Sequence, residues 1–141
     1  ELLRTDFAPF RALRDMPWAM TAHILFTALD ESAPATASKT IIDKTIRGAI
    51  GFQGLLFSDD LSMQALEGSL RQRAERALAA GCDVALHCNG NMDEMRQVAE
   101  AVPPLSPKAR EQVQSGLRIV NARERIDIAA IQAQVDALLA A

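Results

Sequence analysis

Apolar and polar positions along the chain alternate between two patterns: short, mostly apolar runs, and longer stretches that carry a single apolar stripe. The runs are Trp18 to Phe26, Leu55-Leu56-Phe57, and Cys82 to Cys88. Runs of this length between turn residues predict strands buried on both faces, as parallel sheets require. Strands are therefore expected near residues 18–25, 54–59 and 83–88. The striped stretches predict helices. Glu1 to Leu13 places Leu2, Leu3, Phe7, Phe10 and Leu13 on one face, with Pro9 as its weak point. Asp15-Met16-Pro17 breaks that helix, and Thr27 to Thr36 is polar enough for a surface loop. Ser38 is placed to cap a helix whose stripe is Ile41, Ile42, Thr45, Ile46 and Ala49, ended by Gly48 and Gly51.

After the central run, a short piece from Leu61 to Gly68 leads to Ser69, the cap of a helix over Leu70 to Ala80. Leu70, Ala74, Ala77 and Leu78 face inward there, and Gly81 closes the helix as a C′ residue. Asn91-Met92 starts another helix, with Met95, Val98 and Ala99 inward, which Pro103-Pro104 stops. Ser106-Pro107 restarts the chain with a cap and a first-turn proline. The helix Pro107 to Ala122 carries Val113, Leu117 and Val120, and Ile126 to Ala141 reads as a terminal helix. Repeated strand-loop-helix units predict a parallel α/β sheet with right-handed connections. Three parallel strands leave outer backbone groups unpaired, so the chain is expected to be part of a larger unit.

Composition narrows the class. A length of 141 residues is enough for one real core. A net charge of -3 with mixed signs gives no basic footprint for nucleic acid and no polybasic patch for a membrane surface. No apolar run approaches the roughly 18 residues that span a bilayer, and no charged-then-apolar leader opens the sequence. Cys82 and Cys88 have no metal-type spacing to other ligands, although His87 adjoins Cys88. A reduced, cytoplasmic protein with buried thiols and a mainly aliphatic core is expected.

Candidate chemistry concentrates at Ser58-Asp59-Asp60, where the central strand meets its loop. Carboxyl ends of strands are where α/β proteins place reacting groups. Alternation puts Leu55, Phe57 and Asp59 on one face and Leu56, Ser58 and Asp60 on the other, so only one aspartate points easily into a common site. Ser and Asp also start turns and cap helices, and that alternative stays open on residue chemistry alone. A second alternative is a metal-dependent phosphotransfer domain holding Mg²⁺ between Asp59 and Asp60. It calls for further acidic or Thr/Lys partners at neighbouring strand ends, where His23 and Asn89 stand instead.

The stretch Gly51-Phe52-Gln53-Gly54-Leu55-Leu56-Phe57-Ser58-Asp59-Asp60-Leu61-Ser62-Met63 closely resembles the signature of family 3 glycoside hydrolases. Within that family it is most similar to the bacterial cytoplasmic β-N-acetylhexosaminidases of cell-wall recycling. Pro9-Phe10-Arg11-Ala12-Leu13, Met20-Thr21-Ala22-His23-Ile24, Pro34-Ala35-Thr36-Ala37-Ser38 and Ala80-Gly81-Cys82-Asp83 occur in the family's order and at similar spacing.

This resemblance implies that residues 1–141 form the C-terminal part of one (β/α)8 barrel domain, from the helix before the sixth strand onward, with C-terminal helices. It implies that Asp59 is the nucleophile of a retaining β-N-acetylglucosaminidase acting without metal or organic cofactor. Asp60 is then an anchor for the loop or helix start. His23 is implied as a wall of the sugar site, and Met63 and Asn89 as further substrate contacts. The implied substrate is a muropeptide bearing N-acetylglucosamine. The family's His–Asp acid/base pair and its Lys-His sugar-gripping motif belong to the first half of the barrel. This sequence has no Lys-His and no Gly-His-Gly, and only two histidines. The expected partner is therefore the missing N-terminal half or a second copy of the chain. A non-catalytic half-barrel that serves only assembly is the competing expectation for the chain in isolation.

Overall fold

The computed structural model describes residues 1–122 and 127–140. Three parallel strands form one sheet in the order β1 (Trp18–Met20), β2 (Leu55–Asp60), β3 (Val84–Leu86). Helices α1 (Ala8–Ala12), α2 (Leu70–Ala80), α3 (Met92–Ala101), α4 (Pro107–Asn121) and α5 (Ile128–Leu139) accompany them, with a π-helix over Ile41–Ile50. The parallel α/β reading and the positions of all three strands hold. Ile126 and Ala141, the ends of the expected terminal helix, lie outside the described residues.

The core is aliphatic, as the scarcity of aromatics requires. Ile42, Leu56, Leu61, Ala74 and Ala77 are its most buried members, and Phe7 and Phe52 seal its edges. Leu55 and Leu56 are both buried, as befits a central strand with neighbours on each side. The caps sit where the sequence places them. Ser69 and Gln72 form a reciprocal capping box on α2, and Gly81 ends that helix with φ 119°. Asn91 and Ser106 accept amide hydrogens at the starts of α3 and α4. The Ser38 hydroxyl accepts the Ile41 amide at 3.0 Å.

Four details depart from expectation. The helix expected over Glu1 to Leu13 shrinks to α1, because Pro9 has no N–H to give a preceding turn and so starts a helix rather than continuing one. The run Trp18 to Phe26 is a strand only to Met20, and it is buried only in part: Thr21 is covered, but Met20, Ile24 and Leu25 lie open. β1 is an edge strand whose only partner among the described residues is β2. Winding of Ile41–Ile50 with π-type bonds buries Ile41, Ile42, Thr45 and Ile50 and leaves Ala49 exposed. On α4 the inward residues are Ala109 and Gly116, not Leu117 and Val120. A Cβ on Gly116 would lie 2.4 Å from the Trp18 ring, so the bare backbone there admits the indole. Trp18 Nε1 in turn donates to the Gln112 carbonyl at 3.3 Å.

The amino ends of the strands are clamped by charge. Arg47 donates to the Phe52 and Gly54 carbonyls and to Asp83 Oδ2 at 2.9 Å, and the same oxygen accepts the Leu56 amide at 2.9 Å. Gly54 enters β2 under close backbone. An added Cβ would lie 2.5 Å from the Pro17 carbonyl oxygen and 2.8 Å from that of Met16. Main-chain atoms cannot step aside as a side-chain tip can, so Gly54→Ala is expected to destabilise the fold by about 3 kcal/mol. The measurement is a fall in the urea midpoint at unchanged slope; an unmoved midpoint would contradict it.

Candidate active site

Because the strands are parallel, their carboxyl ends lie together, and the loops that follow them share one rim. β2 carries an irregularity there. Phe57 pairs with Val84, but the next partners are Asp60 and Leu86, so β2 has one residue more than β3 across the interval. Such a bulge bends a strand and re-aims its side chains, often beside a reacting site. The Ser58 side chain repairs the ladder: its hydroxyl accepts the Leu86 amide at 2.9 Å, and it is fully buried. Ser58 thus fixes the kink that presents the two aspartates.

The aspartates have different partners. Asp59 is half-buried. Its Oδ1 accepts the Asp60 amide at 2.8 Å, and its own amide donates to Thr21 Oγ1 at 3.2 Å. Among the described residues it makes no ion pair, and Oδ1 is the side-chain oxygen that is held. Asp60 instead binds the loop. Its carboxylate accepts the Ser62 amide at 3.0 Å, the Ser62 hydroxyl at 2.7 Å and the Cys88 amide at 3.2 Å. Burial opposes the charge of Asp60, but these hydrogen bonds, with His87 nearby, outweigh it and hold the carboxyl below its ordinary range.

His23 joins the site from below. Its Nε2 lies 2.9 Å from the Asp60 carbonyl oxygen, which only accepts, so Nε2 carries the proton. Nδ1 lies 2.8 Å from Thr36 Oγ1, and Thr36 Oγ1 lies 2.8 Å from Thr21 Oγ1. A neutral imidazole completes one consistent chain: the Asp59 amide donates to Thr21, Thr21 to Thr36, Thr36 to His23, and His23 to Asp60. Both ring nitrogens are therefore committed to protein groups, and any sugar contact by His23 falls to its carbon edge. Thr21 and Thr36, which the sequence reading passed over, are the buried links of this network. Their spacing around His23 is a signal only after the fold brings them together.

Met63 stands exposed in the turn after β2, its carbonyl held at 3.0 Å by Arg73. Arg73 also grips the carbonyls of Leu61 and Gly68, each at 2.9 Å, so one guanidinium sets the shape of this loop. Sequence reasoning missed it, since an arginine on a helix gives no sign of reaching back. Asn89 lies on the same rim, but its side chain is engaged locally: Oδ1 accepts the Asn91 amide at 2.8 Å, and Nδ2 donates to Glu94.

The cysteines divide. Cys82 is buried, and burial is the leading cause that pushes its thiol up to about 12. Cys88 is exposed, contrary to the expectation of two buried thiols, because β3 ends at Leu86 and the chain turns outward. Its pKa is raised by desolvation first and then by the charges of Asp60 and Asp59, which places it in the field of both carboxylates. Among the described residues, no three His, Cys, Asp or Glu side chains gather to hold a metal ion. No helix among them is long and apolar enough to cross a membrane.

A parallel α/β sheet with a kinked central strand and carboxylates at its end is a scaffold open to many chemistries, and the comparisons are specific. Residues 1–122 match the Glycosyl hydrolase family 3 N terminal domain, and the chain belongs to that family. A β-hexosaminidase of Chromobacterium violaceum is 41% identical over 118 residues, covering 81% of this chain and 33% of that protein. A β-hexosaminidase of Bordetella avium is 35% identical, covering 78% and 33%. Among solved structures, native NagZ from Neisseria gonorrhoeae superposes with a TM-score of 0.69 at 29% identity, over 94% of this chain and 36% of that one. The β-N-acetylglucosaminidase from Thermotoga maritima gives a TM-score of 0.61 at 27% identity, over 95% and 32%. The chain thus spans about a third of the length of the curated relatives it matches.

Proposed function

We propose that this chain supplies the nucleophile-bearing part of a retaining β-N-acetylglucosaminidase, and that the complete enzyme removes terminal β-linked N-acetylglucosamine from peptidoglycan fragments during cytoplasmic cell-wall recycling. The observation that carries the reading is Asp59: a carboxylate at the kinked end of the central strand, with one oxygen held by the Asp60 amide. In a retaining mechanism a carboxylate oxygen attacks the anomeric carbon as the glycosidic bond breaks, giving a glycosyl-enzyme that water then opens. Met63 and Asn89 border the sugar on the rim, and the His23 ring underlies it.

A second group must protonate the leaving oxygen and later activate water. Neither histidine here is suited to it. His23 has both nitrogens tied, and the His87 side chain is only 5% exposed. We therefore assign the acid/base and the sugar-gripping groups to the remaining part of the barrel domain, and expect residues 1–141 by themselves to be inactive. Names of the relatives support the activity class.

The test is complementation. The chain is assayed alone, then joined to the remaining two thirds of the Chromobacterium violaceum relative, with 4-nitrophenyl N-acetyl-β-glucosaminide as substrate. Release is expected only from the joined protein, with the β-anomer as first product by proton NMR. Assembly without hydrolysis would favour a non-catalytic module, and an α-anomer first product would exclude a glycosyl-enzyme.

A further inference from the structure

His87 has no part in the mechanism above, yet it is the most conspicuous polar group in the chain. Its side chain is 5% exposed, and neither ring nitrogen makes a hydrogen bond of good geometry. Buried polar atoms without partners are costly and uncommon, so a site that keeps one calls for an explanation. What surrounds the ring is acidic on both sides. Nε2 lies 3.3 Å from Glu94 Oε2, close but poorly aligned, and Nδ1 lies 3.9 Å from Asp60 Oδ1. Each ring nitrogen thus faces a carboxylate oxygen, to which an N–H would donate.

These partners belong to different elements. Asp60 ends β2 and follows Asp59 directly. Glu94 lies in the first turn of α3 and also receives Asn89 Nδ2. His87 stands between them, just past β3. We infer that His87 is a positioning residue: it bridges Asp60 to Glu94 and so fixes the strand end carrying Asp59, together with the Asn89 loop, against α3. Asp60 makes three hydrogen bonds to Ser62 and Cys88, so freeing its carboxylate loosens both loops of the rim at once. The role of the bridge in turnover rests on the glycosidase reading; its role in holding Asp60 does not.

Two measurements separate these, both on the chain joined to its complementing barrel part. The first is amide hydrogen exchange at Cys88 and Ser62, which donate to Asp60. His87→Phe keeps the ring's bulk and removes both nitrogens, and is expected to speed exchange at these two amides about tenfold or more by releasing local protection. His87→Gln retains a donor toward Glu94 and is expected to restore most of it. The second is kinetic. His87→Phe is expected to lower kcat about tenfold with KM changed less than twofold, a split that loss of packing alone does not produce. Glu94→Gln, on the half-exposed face of α3, gives the same signs should His87→Phe fail to fold, and combined with His87→Phe it should add little. Unchanged exchange at Cys88 and Ser62 in His87→Phe and Glu94→Gln would overturn the inference. Faster exchange in a joined protein without any hydrolytic activity would leave the bridge standing and sink the glycosidase reading instead.

Discussion

Replacing Asp59 by alanine in the joined enzyme is expected to lower turnover by several orders of magnitude and to abolish covalent trapping by a fluorinated N-acetylglucosamine analogue. Losing a covalent nucleophile removes an interaction made only on the way to the intermediate, so kcat and kcat/KM should fall together. The fold should survive, because the Asp59 side chain makes one hydrogen bond, to its neighbour's amide, and lies outside the aliphatic core. Asp60→Asn is the informative control. That carboxylate accepts three hydrogen bonds from Ser62 and Cys88 and faces His87, so its loss acts through loop geometry and should be far milder. An amide keeps one acceptor oxygen for part of that set. Digestion of the trapped protein and mass spectrometry should find the label on Asp59. A label on Asp60 or elsewhere would show that the bulge in β2 aims a different group at the sugar.

That bulge marks the boundary of what the sequence discloses. The three strand centres, the Ser69 and Ser106 caps and the Gly81 stop are all legible, because each depends on a few neighbouring residues and on hydrophobic period. The extra residue between Phe57 and Asp60 is set by pairing with β3, and no local pattern announces it. Strict alternation separates Asp59 from Asp60 and leaves Ser58 without a task. In the fold Ser58 is the group that satisfies the Leu86 amide across the kink. His23 has a similar history. A histidine beside an apolar run gives no sign that Thr21, Thr36 and the Asp60 carbonyl will close a chain of hydrogen bonds around it. Trp18 to Phe26 is less buried than its composition predicts for a related reason. The apolar run is real, but burial needs a second neighbour, and among the described residues β1 pairs only with β2. His87 shows the reverse: a polar residue at the end of a strand that the fold buries between two acids.

The isolated polypeptide of residues 1–141 is expected to self-associate or aggregate rather than behave as a stable monomer. Its exposed apolar residues are grouped at places where the sheet lacks cover. Met20, Ile24 and Leu25 follow the open side of β1, with Met20 55% exposed. α5 has no buried residue, and Ile128, Leu138 and Leu139 on it are each more than three-quarters exposed. Leu117, Ile119 and Val120 leave the end of α4 similarly bare. Burying a Leu, Ile or Met side chain is worth about 1.5–3 kcal/mol, so a handful of such groups outweighs much of the marginal stability of a domain. Unpaired backbone on β1 and β3 adds a template for strand addition by another copy. Light scattering coupled to size exclusion should therefore report dimers or larger species that bind a hydrophobic dye. Adding the complementing barrel part should convert them to a single one-to-one complex with a sharp unfolding transition, since both open strands then gain partners. A monodisperse monomer of the isolated chain that unfolds cooperatively would show that the exposed apolar faces need no cover, and the assignment of the chain to part of a closed barrel would have to be given up.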